Sequence, residues 1–130
     1  MASFLPAKKN FPFWHGSAFR YLFEWRDDNG KEVKPHDLTG YTGAATLTPL
    51  AGEKGVPLEL DTENGGIIFG GVEFNEPKNG LVEIYITREQ LEAVEFKQAS
   101  YTLYAYEHET VLNEVYPLLT GRFTYAGPPQ

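Results

Sequence analysis

Histidines are the first side chains to test for chemistry, because their spacing decides whether they can bind a metal ion. The chain has three, His15, His36 and His108. No two of them have the i, i+2 spacing of a strand or the i, i+4 spacing of a helix that directs both rings at one ion. We therefore interpret each as a surface or turn histidine. The chain has no cysteine, which excludes a thiolate zinc site and a cysteine nucleophile. No metal or other cofactor is predicted.

Carboxylates are numerous, with 18 Asp and Glu among 130 residues. The close pairs all fall at predicted turns: Asp27 with Asp28, Asp61 with Glu63, and Glu107 with Glu109. A glycosidase needs two carboxyls about 5–10 Å apart across a cleft, whereas acidic side chains at turns are ordinarily solvated. The sequence also has no Gly-x-Ser-x-Gly elbow and no phosphate loop. We therefore predict that the protein is not an enzyme, and a small hydrolase is the least supported alternative.

Aromatic side chains are the remaining candidates for recognition, with two Trp, eight Tyr and nine Phe. Exposed rings stack on sugar faces or anchor protein interfaces. Most of the aromatic residues, such as Phe19 and Phe123, fall on the inward face of an alternating pattern and are predicted to be core. A partner-binding role is predicted instead for the apolar residues near the N-terminus: Phe4, Leu5, Phe11, Phe13 and Trp14.

The elements that must position these residues are strands. Ser17 to Trp25 shows the clearest period of two, with an aromatic face opposite a mixed one. Asn29-Gly30 then predicts a hairpin-like reversal. The small residues of Tyr41–Thr48 predict close approach of a facing sheet. Other predicted strands are Phe11–His15, Leu58–Leu60, Ile67–Phe74 with a bulge at Gly70-Gly71, Leu81–Thr87, Ala99–Glu107, and Val111–Tyr125 with a break or bend at Pro117.

One helix is predicted. Thr87-Arg88-Glu89-Gln90 has the Thr-x-x-Gln form of a capping box, so a helix of one or two turns is expected near residues 88–95. A helix this short is unstable alone in water. We expect it to carry the chain from one sheet to the other.

The predicted fold is all-β: an immunoglobulin-like antiparallel β-sandwich of about seven or eight strands, with a small barrel as the alternative. We divide the chain into an N-terminal arm at 1–10, one sandwich domain at 11–125 and a C-terminal tail at 126–130. The arm is either a floppy terminus or a segment that docks on a neighbouring subunit.

Charge and hydropathy exclude two classes of partner. The formal net charge is −7 and the basic residues are scattered, which disfavours nucleic-acid binding. No apolar run approaches the roughly 20 residues of a membrane span, so no membrane partner is predicted. The first ten residues lack the pattern of a signal peptide.

Several segments together resemble a known family. They are Phe19–Phe23 before an Asp-Asn-Gly turn, Asp37–Tyr41, Asn64–Ile68, Asn79–Ile84, the capping-box helix, Tyr101–Tyr106 and Leu119–Phe123. Their order is similar to that in small tailed-bacteriophage proteins, the β-sandwich N-terminal domain of baseplate upper proteins and related tail or fibre-attachment proteins. The similarity spans roughly residues 11–125.

The resemblance implies a non-enzymatic virion structural protein, an adaptor or decorating subunit of the tail, baseplate, neck or fibre attachment. It implies assembly in the bacterial host cytoplasm, other virion proteins as partners, and a symmetric homo-oligomer or ring that acts through multivalent docking. The alternative is a carbohydrate-binding β-sandwich module that recognises surface glycans through Trp14 or Trp25.

Overall fold

The computed structural model describes residues 7–28, 33–35, 37–73, 76, 79–107 and 115–126. Within these ranges the chain forms eleven strands and one short helix, and the predicted all-β class is confirmed. The elements are β1 (Ala7–Lys8), β2 (Phe11–Phe13), β3 (Phe19–Glu24), β4 (Arg26–Asp28), β5 (Val33–Pro35), β6 (Tyr41–Pro49), β7 (Leu58–Asp61), β8 (Ile67–Phe69), β9 (Leu81–Ile86), α1 (Arg88–Ala93), β10 (Gln98–Glu107) and β11 (Val115–Tyr125).

Nine of the described strands form the two layers of a sandwich. The large sheet has the order β1-β11-β10-β6-β7, and β2 also pairs with β11. The small sheet has the order β3-β9-β8. Strands β4 and β5 form a separate antiparallel hairpin, which confirms the predicted reversal, although Asn29 and Gly30 lie outside the described residues. The predicted sandwich of about seven or eight strands is therefore present, and further short strands form in segments that the sequence marks only as arm or connection.

Alternation along the strands builds the core between the two sheets. Val82, Ile84 and Ile86 of β9 are buried, as predicted. On β6, Gly43 faces the small sheet so closely that a Cβ there would lie 2.8 Å from Ile67 Cγ2 and 2.8 Å from Phe69 Cζ. The predicted close approach is therefore confirmed, and this position of β6 needs a residue with no side chain.

The N-terminal segment pairs in parallel with β11, whereas the other described strand pairs of the two sheets are antiparallel, as predicted. Ala7 and Lys8 lie opposite Leu119 and Thr120, and β2 lies opposite 123–125. Just after β1, the Lys9 N–H donates to the Thr120 carbonyl at 2.8 Å. The described part of the arm therefore docks on its own domain.

Gly121 permits this docking. A Cβ at Gly121 would lie 2.0 Å from the Lys9 carbonyl oxygen. That same oxygen accepts a hydrogen bond of 2.7 Å from the Tyr101 hydroxyl, and the Arg122 N–H donates to Asn10 Oδ1 at 3.0 Å. Burial raises the pKa of Tyr101, with a smaller contribution from Tyr21, so its hydroxyl stays a donor.

One local prediction was wrong. The expected strand Ile67–Phe74 ends at Phe69, and Gly70-Gly71 starts a loop in place of a bulge; both glycines have positive φ (95° and 80°), which takes the chain out of the extended conformation. Phe74 itself lies outside the described residues. Strand β11 continues through Pro117, and its register with β10 shifts there: Leu103 faces Leu119, and Tyr104 faces Pro117. Leu118 is the extra residue, so the predicted break or bend takes the form of a bulge next to Pro117.

Helix α1 begins as predicted. Thr87 is its N-cap, and the Gln90 N–H donates to Thr87 Oγ1 at 3.1 Å while the Thr87 N–H donates to Gln90 Oε1 at 2.9 Å. Leu91 is the buried residue of the helix. The helix connects β9 of the small sheet to β10 of the large one, as expected. No helix in the described ranges is long and apolar enough to cross a membrane.

Candidate docking face of the small sheet

The predicted partner-binding cluster is not brought together on the surface. Phe11 and Phe13 are core residues, so their assignment to a contact surface is corrected: Phe11 lies between the sheets, with its ring centroid 4.7 Å from that of Tyr21 and 5.2 Å from that of Phe123. Trp14 is 42% exposed. Phe4 and Leu5 lie outside the described residues. Among these five predictions, Trp14 is the described residue that stays accessible.

The titratable candidates are also dispersed. His15 is exposed in a turn and its ring centroid lies 4.6 Å from that of Tyr125, while His36 and His108 lie outside the described residues. Asp61 closes a turn with Asn64, whose N–H donates to Asp61 Oδ1 at 2.7 Å. In the described ranges, no group of three or more metal-ligating side chains converges.

The strongest surface feature is the outer face of the small sheet. Leu22 on β3 and Val72 in the loop after β8 are 46% and 43% exposed. Both border Gly71, where a Cβ would lie 3.4 Å from Leu22 Cδ1. We call the surface formed by Arg20, Leu22, Val72, Glu83 and Tyr85 the Leu22–Val72 face. Alternation along β3 and β9 directs four of these side chains outward, and the loop supplies the fifth.

An ion pair between the half-exposed Arg20 and the buried Glu83 supports this face. Glu83 is 2% exposed although it points outward from β9. Arg20 Nε donates to Glu83 Oε2 at 2.5 Å, and the Val72 N–H donates to Glu83 Oε1 at 2.8 Å. The Arg20 guanidinium lies 5.9 Å from the centre of the Tyr85 ring. Glu83 therefore links β3, β9 and the loop that presents Val72.

The electrostatics of Glu83 follow from these contacts. Burial by itself raises the pKa of Glu83. Three interactions lower that pKa: the hydrogen bond from Arg20, the hydrogen bond from the Val72 amide, and the positive charge of Arg20. Together they outweigh burial, so the pKa of Glu83 lies below its ordinary value. The same hydrogen bond raises the pKa of Arg20. The carboxylate therefore stays ionised with both oxygens engaged. This arrangement suits a structural support and leaves Glu83 poorly placed to accept a proton from a substrate.

Gly70 and Gly71 determine the path of the loop. Both have positive φ, and a Cβ at Gly70 would lie 2.4 Å from the backbone nitrogen of Glu76. A larger residue at Gly70 would therefore overlap the backbone of Glu76 and change the path of the loop. With two glycines in place, the Val72 amide reaches Glu83 and the Val72 side chain remains at the surface.

Sequence reasoning missed Glu83. Its segment, Leu81-Val82-Glu83-Ile84-Tyr85-Ile86, predicts an inward aliphatic row and an outward mixed row, which places Glu83 at the surface. The available signal was Gly70-Gly71, two glycines that permit a sharp return of the chain over the sheet.

The comparisons with known proteins add no family to this description. No family model matches the chain. No curated protein matches it either.

Proposed function

We propose that this chain is a non-enzymatic structural subunit of a tailed-bacteriophage particle, an adaptor or decorating protein of the tail, baseplate, neck or fibre attachment. It acts by docking other virion proteins, in a symmetric homo-oligomer or ring. The observation that supports docking is the Leu22–Val72 face, in which two aliphatic side chains that border Gly71 remain exposed on a support fixed by hydrogen bonds. The virion assignment draws on the order of sequence segments described above.

The energetics of this face suit repeated weak contacts. Full burial of an aliphatic side chain is worth about 1.5–3 kcal/mol, so covering the exposed half of Leu22 and Val72 contributes about 1 kcal/mol each. That is too little for one stable complex, since association itself is opposed by several kcal/mol. Repeated around a ring, the contacts add up because the later ones are effectively intramolecular. Arg20, which is 50% exposed beside the two aliphatic residues, adds a polar group that can orient the docked partner.

The experiment compares incorporation into particles. The chain is expressed with its phage in the host, particles are purified, and the chain is detected by immunoblot. We expect wild type in intact particles and Leu22→Asp in the soluble fraction, because a carboxylate at the centre of an apolar contact must be desolvated. Val56→Asp is the matched control: Val56 is 77% exposed and lies in the loop between β6 and β7, away from the face.

Two outcomes would contradict the proposal at different points. Absence of the wild-type chain from purified particles would reject the virion assignment. Incorporation of folded Leu22→Asp at the wild-type level would reject the Leu22–Val72 face as the contact and leave the virion assignment standing. Circular dichroism confirms that each variant is folded before the comparison is made.

A further inference from the structure

The outer face of the large sheet carries a groove of about 320 Å³ that the proposed docking does not use. It runs across β6, β10 and β11. We call it the hydroxyl face, because the outward side chains that line it nearly all end in a hydroxyl: Thr46, Thr48, Ser100, Thr102, Tyr104 and Thr120. Ala44 completes the outward lining.

The lining of this groove differs in charge from the chain as a whole. Charged residues make up 22% of the chain and the net charge is −7, yet no residue that lines the groove is charged. Its aliphatic content is two alanines and the threonine methyl groups. An uncharged ligand rich in hydroxyls matches such a surface, since hydroxyls both donate and accept hydrogen bonds.

The hydrogen-bond directions show what the groove offers. Thr120 Oγ1 donates its proton to the Tyr101 carbonyl at 3.2 Å, and Thr102 Oγ1 lies 3.1 Å from Thr120 Oγ1. Because Thr120 has one proton and uses it on Tyr101, Thr102 is the donor in the contact between the two hydroxyls. The remaining lone pairs of Thr102 are acceptors for a ligand.

The pairing between β6 and β10 is interrupted beneath these side chains. The two strands pair at Ser100 with Thr48 and again, in the same register, at Leu103 with Ala45; the two positions between are not paired with each other across β6 and β10. The groove lies at this interruption, which explains why the inward residues Ala45 and Tyr101 also contribute to its lining.

Tyr104 gives the groove an aromatic wall. Its side chain is 42% exposed although its neighbours Leu103 and Ala105 are fully buried. A half-exposed ring beside a row of hydroxyls presents an apolar face for stacking and a polar tip for hydrogen bonding. Sugar rings have the complementary surfaces: C–H groups on a face and hydroxyls around the rim.

We propose that the hydroxyl face binds a neutral saccharide, with Tyr104 as the stacking platform and Thr102, Ser100 and Thr46 as hydrogen-bond partners. A protein partner fits less well, because serine, threonine and alanine, which form most of this lining, are scarce among the residues that carry binding energy at protein interfaces. An acidic saccharide is disfavoured by the net charge of −7. The proposal does not depend on the virion assignment.

The test is affinity electrophoresis of the full chain in native gels that contain a soluble polysaccharide, with a glycan array to widen the set. The neutral probes are dextran, a mixed-linkage β-glucan and a galactomannan, and hyaluronate is the charged probe. We expect retardation by at least one neutral probe and none by hyaluronate. Tyr104→Ala should weaken that retardation about tenfold, as expected for loss of a central aromatic contact. Thr102→Val, which keeps the shape and removes the hydroxyl, should weaken it severalfold.

Trp14→Ala is the matched control, since Trp14 is also 42% exposed but lies in the turn between β2 and β3. Retardation lost in Tyr104→Ala and kept in Trp14→Ala supports the proposal. Retardation lost in Trp14→Ala and kept in Tyr104→Ala would overturn it and place a sugar site at the turn. Failure of the wild-type chain to bind any neutral saccharide, in gels and on the array, would also overturn it, and so would capture of hyaluronate in preference to the neutral probes.

Discussion

Replacing Gly121 by alanine should release the N-terminal arm from β11. The new Cβ would lie 2.0 Å from the Lys9 carbonyl oxygen, a backbone atom that also accepts the Tyr101 hydroxyl bond. Neither the arm nor β11 can accommodate the methyl group without moving. Because β11 is held by β10 along most of its length, we expect the arm to move.

Two energies limit how far Gly121→Ala should lower the free energy of opening the arm. Overpacking by one methyl group costs about 1–3 kcal/mol. Full release of the arm loses the β1–β11 pairing as well as the three hydrogen bonds of Lys9, Tyr101 and Asn10, each worth about 1 kcal/mol net, and so more than about 3 kcal/mol in all, which exceeds the cost of the added methyl group. The free energy of opening the arm should therefore fall by about 1–3 kcal/mol. An opening equilibrium then shifts by about 5- to 150-fold.

The rate of limited trypsin digestion measures the opening of the arm directly. Cleavage after Lys8 or Lys9 requires the arm to leave the sheet, whereas cleavage after Arg122 requires β11 itself to open. Mass spectrometry separates the fragments. We expect Gly121→Ala to accelerate cleavage in the arm within the range above, with little change at Arg122.

Gly52→Ala separates local release from general destabilisation. Gly52 has φ +87° and no atom within 4 Å of a built Cβ, so alanine there adds backbone strain without touching the arm. It should leave arm cleavage close to wild type. Equal protection of Lys8 and Lys9 in wild type and Gly121→Ala would refute the reasoning, and so would a matching acceleration at Arg122.

Three further predictions concern stability, measured by urea unfolding. Gly43→Ala should cost about 1–3 kcal/mol, because the methyl group would overlap the facing strand β8; an unchanged midpoint would contradict the packing described. In wild type, the lowered pKa of Glu83 means that its stabilising contribution is present above its unfolded-state pKa and is lost as pH falls through the folded-state pKa. Arg20→Ala leaves Glu83 without its cation, and burial then raises the pKa of this carboxyl group. The variant should therefore be less stable than wild type at pH 7, and the difference in stability should shrink near pH 4. The same pH dependence in both proteins would exclude this pairing. Thr87→Ala removes the side-chain acceptor for the Gln90 N–H and should cost about 0.5–2 kcal/mol, with no effect expected if the cap is absent in solution.

Much of the sandwich could be predicted because alternation is a local property. The inward row of β9 and the small residues of β6 each follow from a few neighbouring residues. The helix start was equally local, since Thr87 and Gln90 contact each other within one turn. Such signals depend on residues that are close in sequence and not on the identity of the partner strand.

The position of the arm could not be predicted because it depends on pairing across the chain. Lys9 contacts Thr120 and Asn10 contacts Arg122, more than a hundred residues apart in sequence. The sequence predicts a partner-binding role for Phe11 and Phe13, yet parallel pairing with β11 directs both into the core. The local sequence contains nothing that specifies which strand accepts them.

The two candidate surfaces were missed for a related reason. Threonine and serine suit any strand, so the hydroxyl face becomes visible only when β6, β10 and β11 are placed side by side. Glu83 looks like an ordinary outward residue until the Gly70-Gly71 loop covers it. Each feature results from tertiary neighbours and not from a motif.

The sandwich separates the two proposed contacts. Gly43 shows that the inner faces of the sheets pack against each other, so the Leu22–Val72 face and the hydroxyl face lie on opposite outer surfaces. A protein on one surface therefore leaves the other open, and the two variants should have crossed effects. Leu22→Asp should be absent from purified particles but should still be retarded by a neutral polysaccharide. Tyr104→Ala should lose this retardation but should still be incorporated into particles. Loss of both properties in either folded variant would mean that the two contacts share one surface, which the packing of the sheets does not allow.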